Sequence, residues 1–295
     1  MSYGFRLIML SLASFFLVHF LAAVTVGRVS RAAICAAGRM RASAAARFLL
    51  LVRFTPPAVA LFAVAALCVP SFLYYEPATA AERIGWGCWM AAASSVAIWT
   101  ISLVRGLRAM AESRRWLLQP GHARIALAGI VRPRVILEEE AARALTTEQL
   151  AAALRHERAH AESRDNLKRL LLLLAPDALP FRRGFAAVEL AWKKYAEWSA
   201  DDRAVEGDAA RSISLAAALV AIARLNGGRT PALVNSLLDG DLRERVERLL
   251  SPAVQGRPDR WTPAVLALGA AVLATAIFRP PALFPVHRLL ELLVH

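Results

Sequence analysis

Two histidines four residues apart, with a glutamate directly after the first, are the side chains of this sequence best suited to metal chemistry. They belong to the stretch His156-Glu157-Arg158-Ala159-His160. On a helix, side chains at this spacing project from one face, so both imidazoles can bind a single metal ion. The glutamate can then reach a water molecule at that ion. The spacing therefore predicts a metal site with a carboxylate beside it.

A catalytic zinc needs a third protein ligand and one open position for water or substrate. Glu197 and Asp201 lie four residues apart in an apolar stretch that favours a helix, so both carboxylates share a face. We predict Glu197 as the third ligand. Glu162 is a poorer candidate because its position, two residues past the second histidine, turns it away from the histidine face. Glu189 is poorer because it has no acidic neighbour on its own face.

Local signals predict the elements that carry these residues. A short strand is expected at Arg134–Leu137, after Pro133. Thr147 is a plausible N-cap for a helix that continues through the histidines to about Asn166. Three further helices are predicted at 185–205, 212–225 and 241–250.

The composition is that of a membrane protein. Hydrophobic residues make up 57% of the 295 residues and the mean hydropathy is +0.44, whereas an ordinary soluble domain is about half apolar. The net charge is +13, and the arginines cluster beside the apolar runs rather than alternating with aromatic residues. This distribution favours contact with a lipid bilayer and argues against direct nucleic-acid binding.

Apolar runs long enough to cross a hydrocarbon core of about 30 Å predict about four transmembrane helices. The predicted spans are 7–26, 54–74, 84–104 and a shorter fourth run at 263–278. Pro56 and Pro57 are expected in the first turn of the second span, where a missing backbone donor does least harm. The spans divide the chain into a membrane part (1–104), a soluble insert (105–260) and a last span with a short tail (261–295).

The distribution of charge predicts the orientation. The loop at 27–53 carries several arginines and no acidic residue, whereas the loop between the second and third spans carries Glu76 and Glu82. Because positive loops stay on the cytoplasmic side, we expect the first loop and the insert to face the cytoplasm. The N-terminus and the tail then lie outside. The sequence therefore predicts an integral membrane protein whose insert lies on the cytoplasmic side.

Four stretches of this sequence resemble the BlaR/MecR-type membrane metallopeptidases, with a more distant similarity to HtpX-like membrane proteases. They are residues 129–137, residues 150–160, Arg164-Asp165-Asn166, and Glu197 with Ala200-Asp201. The resemblance covers most of the insert and extends to the arrangement of spans. It implies a mainly α-helical membrane protein whose insert is a zincin-like peptidase domain with a short β element.

The resemblance also implies a mechanism and a set of roles. One Zn²⁺ per chain would be held by His156, His160 and Glu197, and Glu157 would act as general base in the hydrolysis of a protein or peptide substrate. Asp201, and with weaker support Asp165, would accept the other ring proton of a ligating histidine. A strand made of four residues would offer an open edge to an extended substrate. Those residues are Arg134, Val135, Ile136 and Leu137.

A regulatory or signalling endopeptidase is therefore the predicted function, and a cytosolic transcriptional repressor is the substrate that the resemblance suggests. Only residues 279–295 follow the last predicted span, so we expect no external penicillin-binding domain. A catalytically inactive membrane receptor or scaffold with a peptidase-like domain is the alternative. A transporter is disfavoured, because apart from His19 the spans contain almost no ionisable residues. The sequence does not indicate an oligomeric state.

Overall fold

A computed structural model describes residues 2–76, 84–118, 125–178, 184–225, 235–236, 241–251 and 283–294, and these residues are mainly helical. The helices are α1 (Tyr3–Ala37), α2 (Ala42–Ala63), α3 (Val69–Tyr75), α4 (Trp86–Leu118), α5 (Glu139–Ala144), α6 (Thr147–Ser163), α7 (Asp165–Leu174), α8 (Gly184–Val205), α9 (Ala209–Leu225), α10 (Leu242–Leu250) and α11 (Leu283–Val294). A π-helical turn, Val64–Cys68, joins α2 to α3. The strands are β1 (Ile125–Ala128), β2 (Arg134–Leu137) and β3 (Asn235–Ser236).

Three helical segments among the described residues are long and apolar enough to cross a membrane. They are Tyr3–Ala37, the continuous segment Ala42–Tyr75, and Trp86–Leu118. The first two segments contain the predicted spans 7–26 and 54–74 and extend beyond them at both ends. The third contains all but the first two residues of the predicted span 84–104 and extends beyond its end. The fourth predicted span, 263–278, lies outside the described residues.

The prediction that Pro56 and Pro57 lie in the first turn of a helix is wrong. Pro56 and Pro57 lie inside α2, which begins at Ala42 rather than just before the prolines. The sequence was misleading because basic residues in this stretch suggested a loop. One of them, Arg53, is instead buried in the helix, where its Nε donates to Glu189 Oε1 at 2.7 Å. A cation paired in this way can stay inside a helix that continues towards the membrane.

A small antiparallel sheet has the strand order β2-β1-β3, so β1 is central and β2 lies at an edge. The predicted strand at Arg134–Leu137 is confirmed, and Val135 pairs with Leu127 of β1. The turn after β1 contains Gly129 at φ +97°, a conformation that side chains other than glycine rarely adopt. Asn166 holds this turn, because its Nδ2 donates to the carbonyl oxygens of Leu127 and Gly129.

The core of the insert forms between β1 and the helices α5, α6, α8, α9 and α10. Its largest fully buried side chains are Ile125, Leu215, Leu219 and Ile222. Helix α8 also packs on α1 and α2, where Val188, Trp192 and Ala196 share a second core with Leu49. One helix therefore contributes both to the core of the insert and to the packing against the first two spans.

Helix α6 begins and ends at residues other than those predicted. Thr146, not Thr147, is the N-cap, and it forms a reciprocal capping box with Gln149. The helix ends at Ser163, because Arg164 adopts a left-handed conformation at φ 53° and α7 starts directly after it. The predicted continuous helix to about Asn166 is thus broken into two.

Helix α11 lies within residues 279–295, which were predicted to be a short tail. It packs against α3 and α4, and Ser71 Oγ of α3 donates to the backbone carbonyl of Leu283 at 3.1 Å. This contact places the described part of the tail beside the second and third spanning segments.

Candidate metal centre

The three predicted ligands come together in the interior of the insert. His156 and His160 lie one turn apart on α6, and Glu197 reaches them from α8. All three side chains are completely buried, as is Glu157 on the same helix. Alanines between and around them let the two helices approach closely, among them Ala153, Ala159 and Ala200.

The ligand atoms of this group form a compact triangle. The Nε2 atoms of His156 and His160 are 3.1 Å apart, and Glu197 Oε2 lies 3.6 Å from the first and 3.5 Å from the second. Glu197 Oε2 is a buried oxygen with no hydrogen-bond donor among the described residues. The group could therefore hold a metal ion through two imidazole nitrogens and one carboxylate oxygen.

Both imidazoles have a carboxylate at their second ring nitrogen. His160 Nδ1 donates to Asp165 Oδ2 at 2.8 Å, and His156 Nδ1 lies 2.9 Å from Asp201 Oδ1. The Nε2 atom of each ring lies on the side of Glu197 and of the other imidazole. The structure therefore brings Asp165 and Asp201 to the positions that orient ligating histidines in metal sites. Asp165 reaches His160 Nδ1 because α7 starts directly after Arg164, which has a left-handed backbone conformation.

Acidic neighbours control the ionisation of the two histidines. Burial alone would lower the pKa of His160, but Glu197 and Asp165 outweigh it and raise this pKa to about 10. Burial opposes protonation of His156 in the same way, yet Asp201 and Glu197 raise the pKa of His156 above its ordinary value. Negative potential that stabilises a proton on these rings also attracts a divalent cation.

Two buried arginines, Arg169 and Arg245, complete the cluster. Arg169 Nη2 donates to Glu197 Oε1 at 3.1 Å, which leaves the other carboxylate oxygen directed at the histidines. Arg245 forms a bidentate ion pair with Asp201: its Nε donates to Oδ2 at 3.0 Å and its Nη2 donates to Oδ1 at 2.7 Å. Burial would raise the pKa of Asp201, but Arg245, and then His156, lower it to about 2. The arginines offset the charge of carboxylates that have no access to water.

Sequence reasoning missed both arginines, although their positions carried a signal. Arg245 lies on the stripe formed by Leu242, Val246 and Leu249, which packs on the core of the insert. A charged residue in an apolar stripe indicates a buried partner. Arg169 likewise shares a face of α7 with the buried Leu172.

The alternative ligands are not part of the cluster. The Glu162 side chain is 71% exposed and lies 3.5 Å from Arg203. Glu189 pairs with Arg53 at the junction between α2 and α8. The four strand residues Arg134, Val135, Ile136 and Leu137 form the edge of a sheet that packs on α6, the helix of the two histidines.

Comparison with protein-family models, with curated proteins and with solved structures finds no match to this chain. The family resemblance therefore depends on the sequence stretches themselves.

Proposed function

We propose that this protein is a membrane-embedded zinc-dependent endopeptidase that cuts a regulatory or signalling protein. The observation that carries the proposal is the buried triangle of His156, His160 and Glu197, with Glu157 adjacent on α6. Exposed acidic clusters are common in proteins, whereas a buried set of two imidazoles and a carboxylate is costly unless a cation compensates it.

The dimensions of the triangle suit zinc. Ligands about 2.1 Å from a tetrahedral zinc are about 3.4 Å from one another. The three separations here are 3.1, 3.5 and 3.6 Å. Two nitrogens and one oxygen are also a ligand set of catalytic zinc sites that keep a fourth position open.

The roles of the side chains follow from their positions. His156, His160 and Glu197 would hold the zinc ion, which would supply Lewis-acid chemistry for a carbonyl group and a water molecule. Glu157 accepts a proton from the attacking water and delivers it to the leaving amine. Arg169 fixes the orientation of Glu197, and Asp165 and Asp201 hold the two imidazoles with their Nε2 atoms directed inwards.

Strand β2 is the proposed docking site for the substrate backbone. It forms the edge of the described sheet, and its outer side carries no described strand. An extended peptide that pairs there would be held by backbone hydrogen bonds, largely independent of its side chains. A cytosolic transcriptional repressor is the substrate we propose, with the insert on the cytoplasmic side of a bacterial inner membrane.

This orientation can be tested by labelling single introduced cysteines in intact cells with a membrane-impermeant thiol reagent. Cysteines at Arg41 and Glu148 are expected to stay unlabelled, and one at Thr79 is expected to react. The reverse pattern would place the metal cluster outside the cell.

One observation favours a second candidate, an inactive receptor or scaffold with a peptidase-like domain. Arg245 Nη1 lies 3.4 Å from Glu197 Oε2, and Arg245 Nη2 lies 3.5 Å from His156 Nε2. A guanidinium this close to two ligand atoms could balance the carboxylates without a metal ion. The metal content of the purified protein separates the two functions.

The first experiment measures zinc in the detergent-purified full chain by mass spectrometry. We expect one zinc per chain in the wild type, loss of zinc in His156→Ala and Glu197→Gln, and retention in Glu157→Gln, because the base is not a ligand. Glu162→Gln is the matched control, since it changes an exposed glutamate on the same helix. Full occupancy in both ligand variants would contradict the assignment, and absence of metal from the wild type would favour the scaffold.

The second experiment identifies cleavage in cells. Protein N-termini are compared between strains that carry the wild type and Glu157→Gln, which should slow hydrolysis by about 10²–10⁴-fold. We expect at least one protein to accumulate uncut in the variant strain, while the Glu162→Gln strain matches the wild type. Identical N-termini in all three strains would exclude peptidase activity under those conditions of growth.

A further inference from the structure

A cavity of about 340 Å³ lies where the start of α2 meets α7 and α8. Three basic side chains line it: Arg47 from α2, Lys168 from α7 and Arg203 from α8. The hydroxyl groups of Ser43 and Ser199 lie in the same wall. Each of the three helices contributes one cation to the cavity, and serine residues share its lining. Such a set of hydrogen-bond donors suits an anion with several oxygen atoms.

The balance of charge in this cavity is positive. Asp165 is the one acidic residue in the described lining, and it is shared: Lys168 Nζ donates to its Oδ1 and His160 Nδ1 donates to its Oδ2. Arg203 donates to a backbone carbonyl oxygen and a serine hydroxyl, and it forms an ion pair with the exposed Glu162 at 3.5 Å. Arg47 is exposed and forms no ion pair with a described residue. The lining therefore carries three cationic side chains and one carboxylate, and Arg47 is the cation that has no ion pair with a described residue.

The cavity is distinct from the proposed reaction site. His160 presents Nε2 to His156 and Glu197, and it presents Nδ1 to Asp165, which lines the cavity. These two nitrogens are separated by one ring carbon atom, and their outward directions diverge. The cavity is therefore reached from the Nδ1 atom of His160 through Asp165, and the ligand triangle is formed at its Nε2 atom.

The cavity also borders a segment that can span a membrane. Ser43, Ala46, Arg47 and Leu50 follow one face of the first turns of α2, which is the beginning of the segment Ala42–Tyr75. Basic pockets between helices at the membrane surface are sites where phosphate-bearing lipid headgroups bind. Trp192 adds an apolar wall to the same cavity, against which the carbon atoms of a headgroup can pack.

We propose that this cavity binds a phosphate group through Arg47, Lys168 and Arg203. The headgroup of an anionic membrane phospholipid and free phosphate share this chemistry, and the cavity's place at the start of a spanning segment favours the lipid. Lys168, one of the three cations, also donates to Asp165, so the site joins the membrane surface to the side chain that orients His160.

The test uses the purified full chain in a neutral detergent. Native mass spectrometry measures adducts with phosphatidylglycerol and with phosphatidylcholine, and a parallel arm measures the melting temperature in inorganic phosphate. We expect phosphatidylglycerol to bind in preference to phosphatidylcholine. We expect Arg47→Gln to weaken the binding of phosphatidylglycerol about fivefold, the effect of about 1 kcal/mol for one cation near a lipid headgroup, and Arg47→Gln with Lys168→Gln to weaken it further.

Arg108→Gln is the matched control, because Arg108 is an exposed arginine on another spanning segment and does not line the cavity. Equal loss of lipid binding in Arg47→Gln and Arg108→Gln would overturn the proposal, since only overall charge would then matter. Stabilisation of the wild type but not of Arg47→Gln by inorganic phosphate, without a preference between lipids, would support the site with free phosphate as its occupant. Binding of neither probe would overturn it.

Discussion

Replacement of Arg245 by methionine should be one of the most damaging single changes in the insert. The guanidinium is buried, forms two hydrogen bonds with Asp201, and lies 3.4 Å from Glu197. Methionine has a similar length and packs readily in a core, so the change removes charge with little loss of volume. What remains is a buried carboxylate that has lost its main cationic partner.

The size of the effect follows from this burial. Removal of one partner of a buried ion pair costs about 3–5 kcal/mol, because the other charge stays in a medium of low polarity. Asp201 keeps a contact with His156, which argues for the lower half of that range. Combining Arg245→Met with Asp201→Asn should cost less than the sum of the two single changes, since the double variant leaves no isolated charge in this pair.

The assay is unfolding of the full chain by denaturant in detergent micelles, followed by circular dichroism with a chelator present. Arg243→Met is the matched control: Arg243 lies on the same helix with its side chain 87% exposed, and its ion pair with Glu247 is at the surface. We expect the control to change the free energy of unfolding by less than about 0.5 kcal/mol. Equal effects of Arg243→Met and Arg245→Met would refute the role assigned to the buried ion pair.

Zinc provides an independent check of the same electrostatics. Arg245 and a divalent cation act on the same carboxylates, so added zinc should stabilise Arg245→Met more than it stabilises the wild type. If zinc stabilised both proteins equally, the guanidinium would not influence the metal cluster.

Three further changes test local structure through the melting temperature of the purified chain. Gly129→Ala should lower stability by about 1–3 kcal/mol, because Gly129 has φ +97° and a Cβ atom there would lie 2.8 Å from the Arg132 carbonyl oxygen; an unchanged melting temperature would contradict this turn. Arg164→Gly should be neutral or raise stability by up to about 1 kcal/mol, since glycine adopts φ 53° without strain, and a clear loss would mean that the Arg164 side chain has a role of its own. Thr146→Ala should cost about 0.5–2 kcal/mol through loss of the capping box, whereas Thr147→Ala, one residue further on, should cost less.

Much of the candidate site could be predicted from the sequence, because its geometry is local. Spacing by four residues on a helix places His156 beside His160, and the same spacing pairs Glu197 with Asp201. Whether these two helices face one another depends on the tertiary packing, which helix spacing does not determine. Glu197 could be predicted only as the best available carboxylate, a choice that the family resemblance supported. The resemblance itself, and the choice of zinc, stay predictions.

The boundaries that sequence reasoning missed depend on contacts between distant residues. The break after α6 occurs at an arginine, without glycine or proline to mark it. The break is stabilised by the hydrogen bond from His160 to Asp165 and by those from Asn166 to the carbonyl oxygens of the turn after β1. In α2, the buried Arg53 likewise has a distant partner, Glu189, which is 136 residues away along the chain. Local propensity carries no information about such partners.

Helix α7 links the candidate metal centre to the spanning segments, because it is held at both ends. Its first residue, Asp165, accepts the hydrogen bond from His160. Just past its last residue, the Ala175 carbonyl oxygen accepts hydrogen bonds from Arg53, Ser102 and Arg105 of the second and third spanning segments. Ten helical residues cover about 15 Å. The candidate metal centre therefore lies within about one helix length of the helices that are long and apolar enough to cross a membrane.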